Sequence, residues 1–161
     1  MKVLGIDPGI ANTGLAVVSV DKHKYSLWVR TSVKTGSGLS HGERLAQIAT
    51  ALDRLISDYK PDAVAIEAVY HNKNVSSSVS TGKVIGICEF FSYQRGVAET
   101  YLLTPQQVKK ASGLGADTDK KQLVKVVSAM FGVKIISHHE ADAALCALAG
   151  CLKQRCATSP D

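Results

Sequence analysis

Three carboxylates in this chain stand where an ordinary solvated acid would not. Asp7 closes the apolar run "VLGID" and Glu67 closes "AVAIE", each a stretch short and apolar enough for a strand buried on both faces. In an open α/β sheet the C-terminal strand ends are where ligand sites collect, because the chain there turns into loops and leaves a crevice. If the two strands are neighbours, the acids lie a few ångströms apart. Carboxylates that close, at the rim of an apolar core, repel, and one stays protonated unless a cation sits between them. Hard oxygen donors with partly open coordination suit Mg²⁺, which takes few protein carboxylates and completes its shell with water and substrate phosphate oxygens.

The third acid, Asp142 in "SHHEADAALCALAG", falls on the apolar side of a helical repeat. His139 precedes it by three residues and His138 by four, so either imidazole could share its face, and spacing does not choose between them. Glu140 reads as a first-turn, solvent-facing acid that complements the helix dipole. Each residue alone has an ordinary explanation. Asp7 before Pro8 and Gly9 could be a turn residue, Glu67 a salt-bridge partner, Asp142 a cap on a neighbouring loop and the His pair surface decoration. Their conjunction argues for metal-assisted chemistry, since independent accidents seldom give a set able to meet at one sheet edge.

The elements that must position this set can be read from the periodicity. Residues 1–7 and 13–20 are rich in Val, Ile and Leu, and 25–33 follows the polar turn "DKHK", so the opening predicts three strands, the second and third as a hairpin. Leu45, Ile48, Ala49, Leu52, Leu55 and Ile56 repeat at helical spacing until Pro61 stops the helix. Residues 62–67 form a buried strand and 97–103 a fifth strand. Between them a helix over about 75–93 carries Ser78, Gly82 and Gly86 at four-residue intervals, room for another backbone to approach. Helices follow at about 105–111, 119–131 and 140–153, the last with Ala144, Leu145, Leu148 and Leu152 as its apolar stripe. This order describes an α/β domain, a mixed sheet covered by helices with a hairpin at one side. Residues 1–153 are expected to form that domain and 154–161 a loose tail.

Bulk properties narrow the class. The chain has 161 residues, 45% hydrophobic and 20% charged, an ordinary globular balance that excludes extensive disorder. Nineteen Lys and Arg against fourteen Asp and Glu leave a formal charge of +5, which suits a polyanionic partner but is weak evidence by itself. Cys88, Cys146, Cys151 and Cys156 lack the paired short spacing of a zinc site, and no signal peptide precedes them, so they read as reduced thiols. No apolar stretch is long enough for a bilayer. A cytoplasmic protein without a membrane partner is expected.

At this level the chain resembles the RuvC family, the bacterial Holliday-junction resolvases of the ribonuclease H-like superfamily. The likeness is carried by "GIDPGIANTGLAVV", "PDAVAIEAVYHNKNVSSSVSTGKVIGI", "LTPQQVKKASGLGADTDKKQLV" and "HHEADAALCALA", in the family's order and spacing over nearly the whole chain. It implies a ribonuclease H-like fold, with a mixed five-stranded β-sheet flanked by α-helices. It also implies a metal-dependent endonuclease of DNA recombination and repair. Such an enzyme works as a homodimer, nicks opposing strands of a four-way DNA junction symmetrically, and acts beside a branch-migration helicase complex. Residue by residue, Asp7 and Glu67 match the strand-end catalytic acids and Asp142 the acid on the final helix. The fourth position falls on His139, where some members have Asp and others His.

The resemblance further implies two Mg²⁺ ions, with Mn²⁺ able to substitute. In two-metal phosphoryl transfer one ion lowers the pKa of the attacking water and the other stabilises the leaving 3′ oxygen, the pair about 3.5 to 4 Å apart. Asp7 is expected to bridge both, Glu67 and Asp142 to hold one each, and His139 to ligate or orient the nucleophile side. Tyr70 matches an aromatic position at the junction centre, where stacking on an unpaired base contributes roughly 1–3 kcal/mol. Lys73 is placed to touch a phosphate nearby. Lys109 and Lys120 match basic positions that approach the cleaved strand, with Lys110 and Lys121 adding charge beside them. The helix over 75–93 matches the family's dimer contact, and a two-fold dimer puts two sites on one junction.

Other readings keep part of this pattern. "GIDPGIANTG" also resembles the phosphate hairpin of actin-like and sugar-kinase ATPases, which need a second large lobe that 161 residues leave no room for. A related RNA nuclease or a binding-only paralogue would keep the fold. The complete acid set, Tyr70 and the long "VKKASGLGADTDKK" segment fit the junction resolvase better.

Overall fold

The apolar runs become strands β1 (Lys2–Asp7), β2 (Asn12–Asp21), β3 (Lys24–Lys34), β4 (Ala63–Glu67) and β5 (Glu99–Leu103) in the computed structural model. It describes residues 1–22, 24–68, 75–113 and 118–158, those from 155 onward by their backbone alone. The strands form one sheet in the order β3-β2-β1-β4-β5. β1–β2 and β2–β3 pair antiparallel, while β1–β4 and β4–β5 pair parallel. Within the parallel part, β1 is buried from Val3 to Ile6 and β4 from Ala63 to Ile66. That is why they read as unbroken apolar runs: helices cover both faces.

Alternation along the strands sorts side chains between two cores. Leu4, Ile6, Leu15, Val17, Val64 and Ile66 pack under helices α1 (His41–Tyr59) and α2 (Val75–Gln94). Val3, Ala16, Val18, Ala63, Ala65 and Leu103 face the other side, towards α3 (Pro105–Ala111), α4 (Lys120–Phe131) and α5 (His138–Thr158). With a period of two, Asp7 and Glu67 continue the second set and are directed to the α5 face.

The final helix departs most from its expected outline. It begins two residues earlier and runs five residues further than the 140–153 stripe suggested. From Ala141 to Cys151 it is buried almost all round, with Ala143, Ala147 and Cys146 as inaccessible as Leu145. The sheet lies beneath it and α3 and α4 flank it, so a 3.6-residue stripe understates its contacts. Its backbone rests directly on β1: a Cβ added to Gly5 would lie 2.1 Å from the Ala143 carbonyl oxygen and 2.3 Å from Ala147 N. β5 also starts later than expected, at Glu99, because the Val97 N–H donates to Ser92 O and closes the end of α2.

α1 opens on a capping box. Ser40 Oγ accepts from Glu43 N at 3.3 Å, and Glu43 Oε2 accepts from Ser40 N at 2.8 Å. Ser40→Ala is expected to lower stability by about 1 kcal/mol, read as a shift in the urea midpoint at constant slope.

α2 turns Ser80, Thr81, Val84, Cys88 and Ser92 inward. Val79, Phe90 and Tyr93 remain exposed, and nothing among the described residues lies within 4 Å of a Cβ at Gly82 or Gly86. These two glycines therefore face away from the chain's own sheet. Cys88, Cys146 and Cys151 are buried free thiols, and burial pushes each well above the ordinary thiol range. No described helix is long and apolar enough to cross a membrane.

Candidate active site

The site begins with two strand ends side by side. Ile6 pairs with Ile66 in the parallel ladder, so Asp7 and Glu67 follow on neighbouring strands about 4.8 Å apart. Gly14 is the antiparallel partner of Asp7 and shares its α5-facing side. The first turn of α5 settles there: a Cβ on Gly14 would lie 2.1 Å from the His139 carbonyl oxygen and 3.2 Å from its Cβ.

From that seat the His139 ring reaches Asp7, with Nδ1 and Oδ2 2.6 Å apart. A carboxylate oxygen accepts, so His139 Nδ1 is the donor in this hydrogen bond and Nε2 lies on the other side of the ring. Both side chains remain partly open, at 26% and 20% exposure, sheltered yet reachable by substrate. The two imidazoles that spacing left equivalent are now distinct. His139 holds Asp7, and the His138 ring packs on that of His139 with centroids 4.1 Å apart. Burial, then His139 and Lys120, lower the His138 pKa, and Asp7 opposes them.

Glu67 and Asp142 complete the acid group. Burial raises Glu67 to about 7, reinforced by the charges of Asp7 and then Asp142, with Lys109 opposing. Burial also raises Asp142 to about 6, reinforced by Asp7 and opposed by Lys120, His139 and Lys109. The acids from β1, β4 and α5 and the lysines at the ends of α3 and α4 thus share one electrostatic neighbourhood. Lys110 does not point into it but lines a groove between α3 and α5 with Leu103, Gln107 and Leu152.

This donor set fits a hard divalent cation: three partly buried carboxylate side chains, two of them pushed up by burial and by the charge of Asp7. Among the described residues no three His, Cys, Asp or Glu side chains already surround one ion position. Asp7 Oδ2 accepts from His139, and a carboxylate oxygen keeps a second lone pair that can face a cation.

Glu140 corrects the sequence expectation. It is not solvent-facing: its side chain is 14% exposed, and its Oε2 lies 3.5 Å from Arg30 Nε. The loop before α5 folds back along β3, where Arg30 Nη2 also donates to Lys134 O at 2.7 Å. Tyr70 and Lys73 lie outside the described residues. Sequence reading assigns no role to Gly14 or Arg30. Gly14 had a signal, an isolated glycine inside a strand pattern, which often marks a close backbone approach. Arg30 had none, because its carbonyl partner is 104 residues away.

A mixed five-stranded sheet in this order, with acids at the ends of β1 and β4 and on the helix that lies across them, defines a ribonuclease H-like α/β domain of the nuclease kind. A family model described as crossover junction endodeoxyribonuclease RuvC matches residues 3–151. The chain belongs to the RuvC family of crossover junction endodeoxyribonucleases, whose chemistry is metal-dependent. It is 35% identical to the family member of Caldanaerobacter subterraneus, spanning 94% of this chain and 92% of that one. Identity to the Treponema denticola member is 34%, over 91% and 83% of the two chains. Among solved structures, T. thermophilus RuvC in complex with a Holliday junction substrate matches with a TM-score of 0.87 and 28% identity over 98% of each chain. The yeast mitochondrial Holliday junction resolvase shares the fold at a TM-score of 0.69 and 15% identity, over 95% of this chain and 78% of that one.

Proposed function

We propose that this protein resolves four-way DNA junctions in recombination and repair, nicking opposing strands symmetrically by metal-dependent phosphodiester hydrolysis. The observation that carries the reading is the gathering of Asp7, Glu67, Asp142 and His139 at one sheet edge. The T. thermophilus relative, solved with a Holliday junction, supports the choice of substrate.

Asp7, Glu67 and Asp142, with His139 beside them, would hold the Mg²⁺ ions, two per site, with Mn²⁺ able to substitute. Bound there, such ions would supply Lewis-acid activation for phosphodiester hydrolysis. His139, its Nδ1–H held by Asp7, would ligate or orient the nucleophile side with Nε2. Lys109 and Lys120 offset the acid group and meet phosphates of the cleaved strand. Tyr70 stacks at the junction centre and Lys73 contacts a phosphate beside it. Residues 1–153 make up the nuclease domain. It acts in the cytoplasm as a homodimer, and a branch-migration helicase complex delivers the junction. The exposed Val79, Phe90 and Tyr93 and the open Gly82–Gly86 side of α2 support that helix as the dimer contact.

The test is a cleavage assay with Mg²⁺ on a four-way junction, a linear duplex and a structured RNA. Symmetric nicks on the junction alone are expected. Cutting of RNA, or binding without cutting, would replace this reading by a ribonuclease or a binding-only protein. Lys109→Ala and Lys120→Ala are each expected to reduce the salt dependence of junction binding by about one unit of slope, whatever the junction's sequence. Fluorescence anisotropy from about 50 to about 200 mM salt measures it.

A further inference from the structure

The first turn of a helix is its least restrained part, because its N–H groups lack partners within the helix. In α5 that turn carries His139. It is held at two points that the chemistry itself does not call for. From below, Gly14 lets the His139 carbonyl come down onto β2, and Gly14 is the ladder partner of Asp7, the residue the His139 ring grips. From the side, Arg30 of β3 brackets His139 along the chain, donating to Lys134 O at 2.7 Å and facing Glu140 at 3.5 Å.

We propose that Gly14 and Arg30 are positioning residues that set the reach of His139 to Asp7, an inference resting on the assignment of those two residues to the working site. Two neighbouring residues, Asp7 and Gly14, receive the ring and the backbone of the same histidine, so the clearance at one fixes the distance at the other. Relieving the 2.1 Å approach of a methyl group at Gly14 to the His139 carbonyl oxygen lifts the turn by about 1 Å, a displacement that acts directly on a hydrogen bond of 2.6 Å. Arg30 opposes the same displacement by tying the residues on either side to an edge strand.

The experiment compares Gly14→Ala, Arg30→Gln and Arg30→Lys with Gly150→Ala as a control. A Cβ on Gly150 would lie 2.8 Å from Ala65 Cβ and 2.9 Å from Val3 Cγ1, a clash under α5 far from its first turn. Two readouts are taken: the downfield imidazole Nδ1–H resonance of His139 in metal-free protein, and the single-turnover rate on a saturating four-way junction. Gly14→Ala is expected to lose the resonance and about a hundredfold in rate. Arg30→Gln is expected to broaden or shift the resonance and lose about tenfold, with junction affinity unchanged. Arg30→Lys, which keeps a charge towards Glu140, falls between Arg30→Gln and wild type. Gly150→Ala is expected to melt earlier with the resonance and rate of wild type.

Should Gly14→Ala fail to fold, Arg30→Gln decides. A wild-type resonance and rate in Arg30→Gln, or their loss in Gly150→Ala at equal destabilisation, overturns the proposal by reducing both residues to fold stability. If wild-type protein leaves junctions uncut while the resonance responds as described, the junction assignment fails and the positioning role stands.

Discussion

Asp7→Asn leaves four-way junction binding intact and removes cleavage. The amide matches the carboxylate in shape and still accepts from His139 Nδ1, so neither the sheet nor the seat of α5 changes. What disappears is one negative charge at the point where Asp7, Glu67 and Asp142 meet. A ligand charge at a metal-assisted phosphoryl transfer contributes several kcal/mol of transition-state stabilisation; a loss of about 4 kcal/mol is roughly a thousandfold in rate. Binding does not fall with it, because an acid facing phosphates repels them. Asp7 also raises both Glu67 and Asp142, so its neutralisation lets those carboxylates ionise more readily. Nicking of a labelled junction in Mg²⁺, beside anisotropy in metal-free buffer, measures the two halves separately. Cutting at the wild-type rate by Asp7→Asn would defeat the assignment.

The second large effect concerns the protein without metal, which becomes less stable as the pH rises from about 4 to about 7. Glu67 titrates near 4.5 in an unfolded chain and at about 7 in the fold; Asp142 moves from 3.8 to about 6. In both cases the folded state keeps a proton that the unfolded chain releases. The stability this represents is fully present below the unfolded values and is lost as pH rises through the folded ones, from about 4 to about 7. The Glu67 shift alone corresponds to on the order of 3 kcal/mol, and because the charge of Asp142 contributes to it the two shifts do not simply add. For a chain of this length that is roughly 6 to 12 °C in melting temperature.

Glu67→Gln should melt above wild type at about pH 8 and close to it at about pH 5. Mg²⁺ should stabilise wild type far more at the higher pH, where no proton competes for the carboxylates. Melting curves across that range, for both proteins with and without Mg²⁺, provide the check. A flat difference between them would mean that Glu67 is not held near a charged neighbour in a low-dielectric setting.

Much of the site could be read without coordinates because strand ends announce themselves. An apolar run buried on both faces and finishing on an acid needs no partner to be recognised, and "VLGID" and "AVAIE" did so independently. Asp142 was legible for a related reason, a charge on the apolar side of a helical repeat. α5 was harder, since burial on nearly every side removes the polar stripe that marks a helix's limits. Glu140 misled because a first-turn acid looks solvated until a cation from a distant strand is placed against it.

By itself, then, the sequence determined which residues could do chemistry, the order and kind of the elements that bear them, and the family to which the motifs belong. Only the tertiary structure decided which imidazole meets Asp7, that the His139 carbonyl settles on Gly14 while Arg30 reaches Glu140 and Lys134 O, and that the glycines of α2 look outward. The physical reason is range. Periodicity and end signals are written between residues a few positions apart, whereas the contact between His139 and Asp7 joins residues 132 positions apart. Such a contact exists only because β1, β2 and α5 pack with almost no space between their backbones.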